Sequence, residues 1–199
     1  LVYSVLNAQY APAVGEIGCI AIPMNSTVFV SWADSVVVER GMQNCADSSL
    51  LFTTYGEPQD AYGSPNPAVL SLGDGGKATF TFEQTIYDGP GYDFAVFENG
   101  FTDNFLELAF VEVSSDGQSF FRFPSVSLTN TVNQIGPFDS LDTKHIHNLA
   151  GKYPAQWGTP FDLSELSTEE GLDVSNISHI RLVDVVGSIL QDYATYDSE

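Results

Sequence analysis

Hydrophobic positions in this chain fall mostly in short runs with a period of two, and the runs are closed by Gly, Pro, Asn and Asp. In Ala78-Thr79-Phe80-Thr81-Phe82 the apolar side chains share one face and the threonines the other, which predicts a half-buried β-strand over 78–82. Runs 93–98 and 108–114 are more continuously apolar and belong in the middle of a sheet. Further strands are predicted over 27–32, 35–40, 68–72, 119–123 and 179–186. Gly73-Asp74-Gly75-Gly76, Asp88-Gly89-Pro90-Gly91 and Ser115-Asp116-Gly117 supply turns between them.

Helix is scarce. Thr159 as N-cap with Pro160 at the first helical position predicts a short turn over 161–165, and 167–171 is a second candidate. Between Pro124 and Pro160 the chain reads as long and irregular, and such loops often carry function. Together these elements predict an all-β sandwich of jelly-roll type, with long loops, occupying residues 1–199 as one domain.

Composition narrows the partners. Six basic residues stand against 26 acidic ones, a net charge of −20, and Arg40, Lys77, Arg122, Lys144, Lys152 and Arg181 are scattered singly. That excludes a nucleic-acid surface, which needs clustered cations, and disfavours an anionic membrane. Hydrophobic residues at 43% and aromatics at 13% are too many for a disordered acidic chain. No run approaches the ~18 apolar residues that a membrane-spanning helix needs. Leu1 opens the chain without a charged and apolar leader, which fits a processed start. Few lysines, many Gly, Ser, Asn and Thr, and the acidic excess point to an extracytoplasmic protein. Cys19 and Cys45, outside any CxxC motif, are expected to form a disulfide, the alternative being two core thiols.

Asp184 is the most informative single residue. Strand alternation over 179–186 puts it on the face of Ile180, Leu182 and Val186, so a carboxylate points toward the core. Such a group must be protonated, hydrogen-bonded, paired or bound to a cation. Asp93 and Glu98 bracket another apolar run and are followed by Asn99. Carboxylates with Asn and backbone carbonyls suit calcium. The candidate ligands are Asp88, Asp93, Glu98, Asn99, Asp162 and Asp184, and spacing does not choose among them; the alternative is that they cap turns and face solvent. There is no EF-hand pattern.

His145 and His147 lie on one side of an extended segment and suit zinc or copper, though no third ligand is evident. For catalysis, Glu98, Glu107 and Glu112 could supply a glycosidase carboxyl pair, and no GxSxG elbow is present. Loop aromatics offer a stacking surface for a sugar ring or another flat ligand. Trp157 is the preferred contact, with Tyr153, Tyr92 and Phe101 beside it.

Taken in order, five segments carry a resemblance: Leu72-Gly73-Asp74-Gly75-Gly76, the run from Asp88 to Phe101, Phe110-Val111-Glu112-Val113-Ser114-Ser115-Asp116-Gly117, Leu149-Ala150-Gly151-Lys152-Tyr153 with Gly158-Thr159-Pro160-Phe161-Asp162-Leu163, and the run from Ile180 to Gly187. From about Tyr10 onward the chain resembles a family of uncharacterised bacterial secreted or cell-surface proteins. The Val113-Ser114-Ser115-Asp116-Gly117 segment is also similar to discoidin-like, carbohydrate-binding jelly rolls, which implies a galactose-binding-like fold with a calcium beside the sandwich. Family members continue past Tyr196-Asp197-Ser198-Glu199 into a final Gly- and Asp-rich strand, so the resemblance implies either that this chain is a fragment or that its closing strand is supplied elsewhere. The expected function is a non-catalytic binding or adhesion module on a bacterial surface, calcium-stabilised, capturing a glycan or another surface ligand. The rivals are an accessory subunit of an outer-membrane or secretion assembly, with a protein partner, and a glycoside hydrolase.

Overall fold

The computed structural model describes residues 10–100, 102, 105–136 and 139–198; Phe101 lies outside them. The strands are β1 (Ile22–Pro23), β2 (Ser35–Glu39), β3 (Lys77–Ile86), β4 (Phe94–Val96), β5 (Ala109–Ser114), β6 (Phe121–Arg122), β7 (Val126–Ser127), β8 (Ile146–His147), β9 (Leu149–Ala150), β10 (Trp157–Phe161) and β11 (Ile177–Asp184). A main sheet runs β2-β3-β11-β5-β6, with β9 also pairing β5; a small sheet runs β1-β10-β4; β7 and β8 pair with each other. The strand pairs within these sheets are antiparallel.

Period-two alternation builds the layers. Ile180 pairs with Val113 and Leu182 with Val111, so these four side chains share one face of the main sheet. They pack there against Phe94, Val96 and Phe161 of the small sheet, and Phe123, Leu163, Leu166 and Ile177 complete the core. On the opposite face, Phe110 and Val183 are covered by Ile146 and Leu149. β5 is thus enclosed on both sides, which is why its sequence is apolar from Ala109 to Val113 except at Glu112. The Glu112 carboxylate is buried, and each oxygen is met by an arginine: Oε1 by Arg122 at 2.7 Å and Oε2 by Arg181 at 2.5 Å. Arg122 lies over the Phe110 ring and Arg181 over the Phe120 ring.

Several expectations fail for identifiable reasons. Residues 27–32 form no strand, because an extended chain would send Phe29 and Trp32 to opposite faces, whereas both rings lie against Phe97, at 5.5 and 5.6 Å. Residues 68–72 form none either: the Ser71 carbonyl accepts from the Arg40 guanidinium and the Leu72 carbonyl from the Gly41 amide. Thr159 and Pro160 open no helix. They continue β10, paired with Val96 and Ala95, beyond the point where β1 stops pairing at Gly158, so the missing Pro160 amide donor faces no partner strand. Asp162 is the real cap, accepting from the Ser164 amide at 3.0 Å and opening a 3-10 turn over Leu163–Leu166. The expected disulfide is not formed. Cys19 and Cys45 are free and sit in different surroundings, Cys19 by Lys152 and Tyr153 and Cys45 by Asp74, which accepts its amide.

Candidate functional site

The register Phe94↔Phe161 between β4 and β10 sets the flanking residues Asp93 and Asp162 side by side at one end of the small sheet. The turn that follows β3 brings Asp88 to them, its amide donating to the Val174 carbonyl at 2.9 Å. Asp88, Asp93 and Asp162 each offer a carboxylate oxygen within 4.8 Å of the others, the one group of three metal-ligating side chains among the described residues. Asp93 is fixed from two sides: Oδ1 accepts the Gly89 amide at 2.7 Å and Oδ2 the Leu163 amide at 2.8 Å. Each oxygen keeps a second lone pair. Burial pushes the Asp93 carboxyl above its usual range against those two amides, and the Asp88 and Asp162 charges push the same way. Three converging oxygens, none in an ion pair among the described residues, fit the partial shell of a hard divalent ion, whose remaining ligands would be carbonyls or water. Tyr87 and Tyr92 stand next to the aspartates, 67% and 50% exposed. Burial and the Asp162 and Glu165 charges raise the Tyr92 hydroxyl.

The other sequence candidates gather elsewhere. Asp93 and Glu98 are separated by five residues of extended chain, ~16 Å, and Glu98 leaves the far end of β4. There its Oε2 is enclosed without a hydrogen-bond partner, beside Glu107 and the amides of Asn99 and Gly100. Desolvation first, then Glu107, raises Glu98 to about 7. Asp184, the last residue of β11, turns inward as its alternation predicts, and Oδ2 accepts the Gly75 amide at 3.1 Å. Desolvation, with Asp74 and Glu107 nearby, raises it to about 7. The six predicted ligands therefore divide: Asp88, Asp93 and Asp162 meet, while Glu98, Asn99 and Asp184 belong to a separate carboxyl cluster.

The predicted aromatic contact surface does not assemble. Tyr153 is fully buried, so it cannot meet a ligand from solvent. Trp157 is half-buried and pairs with Pro23, four residues along β10 from Phe161, ~13 Å in an extended strand. Tyr92 remains, joined by Tyr87. His147 stacks on Tyr10 at 4.6 Å and His145 ends a 3-10 turn; neither joins a metal-ligating group among the described residues. An open groove of 440 Å³, lined by Leu128, Asn130, Gln134, Ser140, Asp142 and His145 among others, shares no residue with the triad.

Lys152 lies in the Leu149–Tyr153 segment, yet nothing in the sequence marks its amine as buried. It is 2% exposed, and Nζ donates to the neutral Ile146 carbonyl at 2.6 Å. Desolvation lowers it to about 8. Its charged form is therefore disfavoured in the folded state at every pH below about 8, and the penalty fades as the pH rises from there toward 10.5, the unfolded value. Lys152→Met is expected to stabilise the protein by about 1–2 kcal/mol at pH 7, with the gain shrinking above pH 9 in urea titrations.

Compared with known proteins, the chain matches no family model, and no curated protein or solved structure is significantly similar to it.

Proposed function

We propose that this protein is a non-catalytic binding module with a galactose-binding-like jelly roll, working outside the cytoplasm on a bacterial surface. In this reading a calcium ion joins Asp88, Asp93 and Asp162 and a glycan stacks on Tyr87 and Tyr92. The observation that supports it is the convergence of three carboxylates from three separate segments within 4.8 Å, beside two exposed tyrosines. Mutual repulsion opposes such a grouping in a chain already at −20, and a divalent cation relieves it. Oxygen ligands select a hard ion, and the exposed tyrosine rings offer flat apolar faces with a polar edge, which suits a sugar. The glycosidase alternative loses one candidate, because both Glu112 oxygens are held in arginine ion pairs.

Thermal melts in EDTA and then in calcium test the ion. Calcium at roughly 100 times its dissociation constant should raise the melting temperature by about 5–10 °C, reversibly, and Asp93→Asn should lose most of that rise. A glycan panel read with and without calcium tests the ligand, with Tyr92→Ala expected to abolish binding while keeping the calcium response. A wild-type melting temperature indifferent to calcium overturns the cation, and calcium-independent glycan binding that survives Tyr92→Ala overturns the site.

A further inference from the structure

The end of the sandwich opposite the aspartate triad concentrates four carboxyl groups where chain segments from both sheets meet. Glu98 leaves β4 of the small sheet, Glu107 enters β5, Asp184 closes β11, and Asp74 lies in the turn before β3. Backbone packs tightly around them: Gly151, just after β9, has φ +77°, and a side chain there would overlap the Glu107 carbonyl and come 3.4 Å from Glu98 Cγ. The Asp184 amide donates to the Gly76 carbonyl while its carboxyl accepts from Gly75, so this one residue ties the turn to the strand end from both its groups.

The charge surroundings are one-sided. Asp74 and Glu107 face Asp184, Glu107 faces Glu98, and the Cys45 thiol faces Asp74 and Asp184. Among the described residues none of the four carboxylates forms an ion pair. Lys77 is paired with Val183, on the opposite face of the sheet from Asp184, and Lys152 points its amine at Ile146. With no cation to neutralise it, a buried acid here is most stable holding its proton.

We infer that the enclosed carboxyls of Glu98 and Asp184, crowded against Glu107, act as a pH-sensitive staple that holds the strand ends together while protonated and loosens them when ionised. Raised groups stabilise the fold fully below their unfolded values, 4.5 for Glu98 and 3.8 for Asp184, and that stability is lost as the pH climbs through about 7. The device uses none of the three aspartates of the cation site and operates in EDTA, so it stands or falls apart from the calcium reading.

Amide hydrogen exchange of the full chain in EDTA between pH 6 and 8 tests the inference. Beyond the intrinsic chemical acceleration, amides of residues 74–76, 107–109 and 151–152 should exchange faster by about an order of magnitude, while residues 89–93 and 163–164 keep their protection. Glu98→Gln and Asp184→Asn should each flatten this local response. Infrared spectra of the wild type should show protonated carboxyl absorption persisting to neutral pH, a readout that does not depend on any variant folding. Loosening spread equally over both ends, an unaltered response in both variants, or carboxyl absorption lost by pH 5 overturns the inference.

Discussion

Phe161→Ala is expected to destabilise the protein by about 3–5 kcal/mol, the range for deleting a large buried aromatic. Phe161 is fully buried, stacks on Phe94 with centroids 5.3 Å apart and planes 12° apart, and tilts against Phe123 at 5.1 Å. Phe94 and Phe161, with Val96, make the small sheet's contact with the main one, so truncation removes packing that no neighbour can refill without moving a strand. The damage reaches the aspartates as well. The Phe161 carbonyl accepts the Asp93 amide at 2.9 Å, and Asp162 follows directly in sequence. Urea denaturation should report the stability loss, and the proposed calcium response should weaken even though Asp88, Asp93 and Asp162 all remain. A variant that unfolds in urea like the wild type would show that the two sheets do not depend on this contact.

Gly151→Ala is the second large effect, expected at about 2–4 kcal/mol. The left-handed backbone conformation costs a residue with a Cβ about 1–2 kcal/mol, and the added methyl would occupy the space of the Glu107 carbonyl. The backbone between β9 and Lys152 must shift, displacing the Glu98 side chain. The same substitution at Gly91, also at positive φ but with open space around its Cβ position, should incur only the backbone penalty. Comparing the two variants by denaturant midpoint separates the steric contribution from the conformational one.

Much of the layer pattern was legible along the chain. The inward turn of Asp184, the enclosure of β5 and the Asp88-Gly89-Pro90-Gly91 turn each follow from local alternation or turn chemistry. What stayed hidden depends on pairing between distant segments. Nothing local reveals that Phe94 lies across from Phe161, and that register alone decides that Asp93 meets Asp162 rather than Glu98. Pro160 illustrates the same limit: its fixed φ and missing donor suit a helix start and a singly paired strand end equally well, and only the early end of β1 resolves the choice. The burial of Lys152 was not legible because a buried lysine is rare and its surroundings are set by Ile146 and Cys19, which its own segment does not show.

The direction taken by the basic side chains also bears on how copies of this protein behave together. Arg122 and Arg181 spend their charge on Glu112, Lys144 bonds Glu16, Lys152 is interior, and the Arg40 guanidinium is wrapped by the carbonyls of Tyr55, Gly56 and Ser71. Five of the chain's six cations therefore answer to their own fold, and little positive charge is left to meet a neighbour. Two molecules approaching at physiological salt feel repulsion from about 8 Å, the screening length. Concentrated solutions are therefore expected to stay dispersed at low ionic strength, and added salt should shorten the range of that repulsion.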